Sequence, residues 1–382
     1  MSRATGFYIV SSTLGEPVSA FVPYPLPPSA PALEAKIYID LNREAELALA
    51  RLSGVSALVP SVDWLLYSAI RKEALLTSLI EGTQATLTDL FDEEAGFEPG
   101  NPDDVEEVSN YLRAFRWVQE QLRSSQGLPI SLRLLCHAHG LLLDGVRGAG
   151  KQPGELRRSQ NWVGGTRPGN ALFVPPPPER VADLLADLER FIHDEAAALP
   201  PLVRVALVHA QFETIHPFLD GNGRIGRLLI AALLEHWGLL PEPLMYISGY
   251  LKQYQAEYYN CLSAIRLEGD WESWLIFFLR GVTQAAAEAE RNIIQVASRV
   301  SQDRRLLLAS ARASPTSYRL FELLPTMPRF TIERVRQQLG TSFPTATVAI
   351  QVLLDLGIII EITGQKKNRH YSYQNYIDLL AR

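Results

Sequence analysis

Apolar residues recur at three- and four-residue spacing along most of this 382-residue chain, a pattern that predicts a mainly α-helical protein. A helical stretch runs from Ser61, a suitable N-cap, to Glu81, where Gly82 supplies a C-terminal stop. Further helices are expected over residues 105–123 and 131–143. Leu202, Val205, Ala206, Phe212 and Ile215 place another over 201–215, and the apolar run from Leu228 to Leu234 reads as a buried helix. Helices continue to about Arg280, and a long one is expected from Ala285 to Ala311.

Three segments break this periodicity. Residues 21–28, FVPYPLPP, are proline-studded and should run extended over a surface. Residues 159–163 and 171–174 flank the turn-rich GGTRPGN of 164–170, which predicts a β-hairpin, and Pro175 to Pro178 then enforce an extended connector. Residues 311–382 read as a winged helix-turn-helix. Helices over 331–339 and 344–354 are joined at Gly340-Thr-Ser342, and strands over 358–363 and 370–373 surround a basic wing, Gly364 to Arg369.

Composition adds limits. At 47% apolar and 20% charged the chain is ordinary for a globular protein, and its length allows two or three domains. No run of about 18 apolar residues suggests a membrane span, and MSRATGFYIV lacks the apolar core of a signal peptide. Cys136 and Cys261 lie in apolar helical patterns as inert buried thiols, with no disulfide framework or cysteine metal site, which fits a cytoplasmic location. A net charge of −6 gives no global nucleic-acid signature. Residues 311–382 nevertheless carry nine Arg or Lys against five Asp or Glu. Helix 344–354 has no Arg or Lys to read bases, so DNA phosphates and a protein surface both stay open as partners of this module.

The candidate chemistry is concentrated in His216–Arg227, HPFLDGNGRIGR. Asp220 is a hard oxygen ligand suited to Mg²⁺ shared with substrate phosphates. Gly221 and Gly223 let backbone approach a ligand, and Asn222 lies between them at the start of the following helix, where dipole and free amides favour anions. Arg224 and Arg227 share a face of its first turn and can grip phosphate oxygens. His216 is placed as a proton acceptor. The segment matches GxGxxG but follows a helix rather than a buried strand, and it lacks the Lys-Ser/Thr of a Walker loop.

His216, Phe218, Asp220, Gly221, Asn222, Gly223, Arg224 and Arg227 fit the Fic signature HxFx(D/E)GNGRxxR at every specified position, and the chain resembles that family. The resemblance implies a Fic-type helical bundle with a hairpin flap, here followed by a winged-helix domain. It implies a protein adenylyltransferase that moves AMP from ATP to a Ser, Thr or Tyr hydroxyl of a target protein. His216 would be the base, Asp220 the Mg²⁺ ligand, the Gly-Asn-Gly turn and arginines the phosphate holders, and Phe218 a buried anchor. The flap would align an extended target segment by strand addition, with Trp162 and Val163 pressing on substrate and Gly164 and Gly165 allowing the approach. Tyr254 and Tyr258, four apart, are candidates to reach the nucleotide. Asn161 and Gln160 would bond target backbone or cap the hairpin. His209 reads as a satisfied core histidine, and His137 and His139 as unsuited to sharing a metal.

Thr77-x-x-x-Glu81-Gly82 resembles the inhibitory (S/T)xxxE(G/N) motif of one class of the family. That likeness implies that Glu81 pairs with Arg227, taking the arginine meant for the γ-phosphate, and allows hydrolysis of an AMP–protein bond by the same carboxylate. The expected organisation is an N-terminal helical region with proline-rich arm and inhibitory helix over 1–125, a catalytic domain over 126–285, and a linker helix with the winged module over 286–382. The resemblance also leaves room for a homodimer. Competing readings are transfer from another nucleotide-linked donor, phosphate transfer (disfavoured because Gly223 is retained), and an ATP-sensing transcriptional regulator.

Overall fold

The computed structural model describes residues 3–56 and 61–381. Met1 and Ser2, part of the signal-peptide reading, and Arg382, counted in the C-terminal charge, lie outside the described residues. The chain opens with a hairpin of β1 (Gly6–Thr13) and β2 (Glu16–Pro23), followed by α1 (Ala35–Val55), α2 (Val62–Ile80), α3 (Leu87–Glu94), α4 (Pro102–Arg123) and α5 (Leu132–Leu142). Next come α6 (Pro178–Ile192), α7 (Pro201–Ile215), α8 (Asn222–His236), α9 (Ile247–Gln253), α10 (Gln255–Glu268) and α11 (Trp271–Ala309). The remainder is α12 (Pro315–Leu323), β3 (Arg329–Thr331), α13 (Ile332–Leu339), α14 (Phe343–Asp355), β4 (Ile360–Glu361), β5 (His370–Ser372) and α15 (Gln374–Leu380).

At the centre runs α7, whose residues from Leu202 to Ile215 are all buried. A helix apolar on every face must be surrounded, and α6, α8 and α11 pack around it. Trp274 of α11 is fully buried and donates its indole N–H to the Ala206 carbonyl, 2.9 Å away. Helix α2 packs on α4, α8 and α9, which brings its C-terminal end to the start of α8. Helices α1 and α11 lie along each other. Among the described residues no helix is long and apolar enough to cross a membrane.

Two expectations about β-structure change. The segment over 159–174 is no regular hairpin: it holds one antiparallel bridge, Val163 to Phe173, and a 3₁₀ turn at Pro168–Asn170. The regular hairpin lies upstream, where only an extended arm was expected. Its turn, Leu14-Gly15, takes positive φ at both residues (53° and 82°), the geometry whose twist matches paired strands. Strand β2 then braces the flap, because Phe21 N–H donates to the Val174 carbonyl and Glu16 accepts from Gly169 N–H. Helix α1 was not foreseen either. Helix α11 begins 14 residues before the expected Ala285 and runs 39 residues without interruption, so the boundary expected at 285/286 falls inside it.

In the C-terminal part, Thr331 caps α13, Gly340 ends it in the left-handed region, and Ser342 caps α14. Strands β3, β5 and β4 form an antiparallel sheet in that order, with residues 364–369 between β4 and β5. This part rests on the helical body: Tyr373 donates to buried Asp303 at 2.7 Å, and His370 stacks on Phe97 with centroids 3.6 Å apart.

Removing the Trp274 ring leaves a cavity between α7 and α11. Trp274→Ala is expected to lose about 3–5 kcal/mol of stability, measured by denaturant unfolding. A loss below 1 kcal/mol would contradict this packing.

Candidate functional site

Helix α7 ends at His216, which sits in the left-handed region (φ 50°, ψ 61°) with its N–H on the Phe212 carbonyl. A non-glycine residue held there is strained, and such strain gathers at functional positions. The chain then crosses to α8 in five residues, and three contacts fix that crossing. Phe218 is fully buried and stacks flat on His139, with centroids 3.9 Å apart. Asn222 reaches back, its amide accepting from Phe218 N–H and donating to Phe218 carbonyl, both at 2.8 Å. Buried Arg157 donates to the His216 carbonyl at 2.9 Å. Gly221 (φ 74°) then turns the chain into α8.

The result is a cavity of about 320 Å³, lined by the loop, Glu81, Glu213, Arg227, Tyr258, Tyr259 and flap residues Asn161 to Gly164. The first amides of α8 have no intrahelical acceptor and face an anion seat. That seat is taken by Glu81, which caps the C-terminus of α2. Its Oε1 lies 2.5 Å from Arg227 Nη2, and a Cβ at Gly223 would stand only 2.4 Å from it. Thr77 accepts from Arg227 Nε at 2.5 Å and through its carbonyl from Nη2 at 3.2 Å. Burial opposes the Glu81 anion, but the Arg227 guanidinium outweighs it and holds the carboxyl below its ordinary range. In return Arg227 stays firmly protonated despite burial.

Asp220 is partly exposed and accepts from Gly221 N–H at 2.6 Å. No group of three or more His, Cys, Asp or Glu among the described residues could cage a metal. A cation here would therefore need phosphate oxygens and water besides Asp220, the habit of Mg²⁺. Burial pushes the His216 imidazole down to about 4, and the Arg157 guanidinium adds to the effect. The ring is neutral at pH 7 and free to take a proton.

Several expected residues sit differently. Arg224 does not face the cavity with Arg227: it is buried, donates to Glu107 at 3.1 Å and lies 3.6 Å from Asp220. Asn222 uses its side chain on the loop, leaving its backbone to the anion seat. Tyr254 is outside the cavity, because the helix breaks at that residue (φ −110°, ψ 38°) and its ring packs on Tyr250. Tyr258 lines the cavity and bonds His209 Nε2 at 2.9 Å, while His209 Nδ1 meets the Gly226 carbonyl. Asn161 donates to the Phe218 and Leu219 carbonyls, tying flap to loop rather than standing free for a target. Gln160 donates to the Pro175 carbonyl.

The sequence reading missed Glu107, Arg157, Glu213 and the part played by His139. Gly154 N–H donates to His139 Nδ1 at 2.9 Å, so its Nε2–H donates to the Asp220 carbonyl at 3.0 Å. These partners lie far apart in the chain, and no local spacing announces them.

A neutral His216 is directly testable. In a ¹H–¹⁵N titration its imidazole should titrate near pH 4 and stay neutral from pH 5 to 8, with the signal assigned by its absence in His216→Ala. A midpoint near 6.5 would show that burial does not act on this ring.

Residues 39–120 match the Fic/DOC family N-terminal model and residues 129–234 the Fic/DOC family model. Protein adenylyltransferase Fic of Drosophila virilis is 31% identical over 205 residues, 52% of this chain and 38% of that protein. The enzyme of the same name from Drosophila melanogaster is 30% identical over 52% of this chain and 37% of its own length. The chain thus spans less than two fifths of the curated relatives it matches. A crystal structure of a Fic family protein from Desulfovibrio desulfuricans G20 superposes with a TM-score of 0.59 at 23% identity, covering 90% of this chain and 97% of that one. Fic-1 from C. elegans gives 0.53 at 23% identity over 69% and 74%. A helical body that presents the matched loop at a helix N-terminus, in a fold shared with these structures, makes this chain a Fic domain protein.

Proposed function

We propose that this protein is an ATP-dependent protein adenylyltransferase held inactive by Glu81. One observation carries the reading: a carboxylate of α2 occupies the anion seat at the start of α8, pairing with Arg227 beside a neutral His216. The matched relatives, named as protein adenylyltransferases, support the same chemistry.

In the proposed reaction the triphosphate lies along the first turn of α8, whose amides and dipole take its charge. Arg227 holds the terminal phosphate, and Arg224, braced by Glu107, stands next to Asp220. Magnesium, when bound by Asp220 and phosphate oxygens, neutralises charge on the phosphates. An extended target segment enters beside the flap. His216 takes the proton of its Ser, Thr or Tyr hydroxyl, the oxygen attacks the α-phosphorus, and diphosphate leaves. Transfer of this kind depends on positioning and charge stabilisation. With Glu81 on Arg227 the terminal phosphate loses its partner and the α-phosphorus is misaligned. The same carboxylate beside a bound metal could orient water for AMP removal from a modified target.

Residues 1–125 supply arm, brace and inhibitory helix, 126–285 the catalytic body, and 286–382 the end of α11 and a winged helix-turn-helix module. That module would serve a protein partner, a second copy or DNA phosphates. A cytoplasmic location fits this chemistry.

Glu81→Gly should raise AMP transfer to itself or a target at least tenfold, read with α-labelled ATP, and His216→Ala in that background should abolish it. Intact mass should show a gain of one AMP. No gain in Glu81→Gly would sink the transferase and leave the nucleotide-sensing regulator. A phosphate-sized gain would point to a kinase.

A further inference from the structure

Among the cavity carboxylates of the described residues, Glu213 is the one without a task in the scheme above. It lies on α7 one turn before His216, is 9% exposed and lines the same cavity. Its Oε1 is buried with no hydrogen-bond partner among the described residues. The fold makes room for it, since a Cβ on Gly226 would stand 2.3 Å from that oxygen. This accounts for a glycine inside α8, where a helix interior disfavours one.

Arg227 and Arg266 face the carboxyl and Glu81 opposes it, while burial raises it to about 7. Neither arginine closes a hydrogen bond on it: Arg227 is engaged by Thr77 and Glu81, and Arg266 donates to Ser263. Leaving such a group unpaired is costly, and buried orphans of this kind gather at sites that a ligand completes. Phosphate oxygens repel the ionised form that Arg227 and Arg266 favour, and that form has only acceptor oxygens. It calls for a hydrogen-bond donor. ATP carries its donors only on the nucleoside half, as ribose hydroxyls and the amino group of adenine.

We propose that Glu213 is a nucleoside-recognition residue whose carboxyl accepts a hydrogen bond from a ribose hydroxyl or the adenine amino group of the bound nucleotide. This rests on the nucleotide-transfer reading. It gives a specificity role to a residue outside the loop that handles phosphate, since a site built to receive a donor rejects analogues that lack it.

The test is calorimetric binding of Mg-ATP, Mg-2′-deoxy-ATP, Mg-3′-deoxy-ATP and Mg-ITP to the full chain, to Glu213→Ala and to Glu213→Gln. The unaltered chain should bind one of the three analogues about tenfold more weakly than ATP. In Glu213→Ala that penalty should vanish, with ATP itself weakened about tenfold, the mark of a direct coupling. Glu213→Gln, which keeps an acceptor oxygen, should retain part of the penalty. Which analogue is affected separates ribose from base. The unliganded Glu213→Ala protein should melt at the same temperature or higher, because the unpaired carboxyl is gone. An unchanged penalty in Glu213→Ala, or failure of that variant to fold, would overturn the proposal by marking a structural group. If the unaltered chain binds no Mg-ATP, the transferase reading falls with it, whereas binding with an unchanged penalty removes only the role of Glu213.

Discussion

A guanidinium buried at the first turn of α8 must have an anion beside it. Arg227 is almost wholly shielded from water, and stripping a buried cation of its partner costs about 3–5 kcal/mol. The helix dipole and free amides at the same place favour negative charge as well. The site is therefore never electrostatically neutral to its contents: either a carboxylate of the protein sits there or an anion from solution does. Glu81 fills it in this structure, so an internal group and a phosphate would compete for one seat. This competition is the physical core of the proposed inhibition, and it needs no change in the loop itself.

The surrounding fold serves to hold the two halves of that contact in register. Helix α2 presents Glu81 and Thr77 one turn apart, so both reach Arg227. Its own position is secured by Glu73, which accepts from Ser248 N–H and hydroxyl, and by Arg71, paired with Glu94 at the end of α3. The C-terminal module bears on the same end of α3, with Arg334 donating to the Glu94 carbonyl. On the other side, His139 of α5 and Arg157 and Asn161 of the stretch before α6 lock the loop. A loop tied by buried groups keeps its shape without a ligand, and such preorganisation makes electrostatic stabilisation effective.

The flap follows a different logic. One backbone bridge cannot hold a hairpin, since two isolated strands are marginal at best. Here β2 lends a neighbouring strand edge through Phe21 and a side-chain anchor through Glu16, and Val18, Ala20 and Val174 close a small apolar cluster between them. The N-terminal hairpin thus acts as a brace for the wall of the cavity. It escaped the sequence reading because the prolines after Val22 dominated that stretch and its turn, Leu14-Gly15, lacks the usual Asn-Gly signature.

What the sequence determined alone is whatever depends on near neighbours. The helical periodicity of α2, α4, α5, α7 and α8, the extents of α13 and α14 with the turn between them, and the loop from His216 to Arg227 all rest on spacings of a few residues, and all were legible. So was Phe218 as a buried anchor. What only the tertiary structure decided is each pairing across long separations other than Glu81 with Arg227, which the motif likeness implied. Glu107 captures Arg224 from 117 positions away, Glu213 is left facing the cavity beside Gly226, and Tyr259 rather than Tyr254 meets it because α9 and α10 break at Tyr254. The physical reason is one of range: helix periodicity and capping are set within a turn or two of backbone, whereas the partner of a buried charge is chosen by which helices pack together.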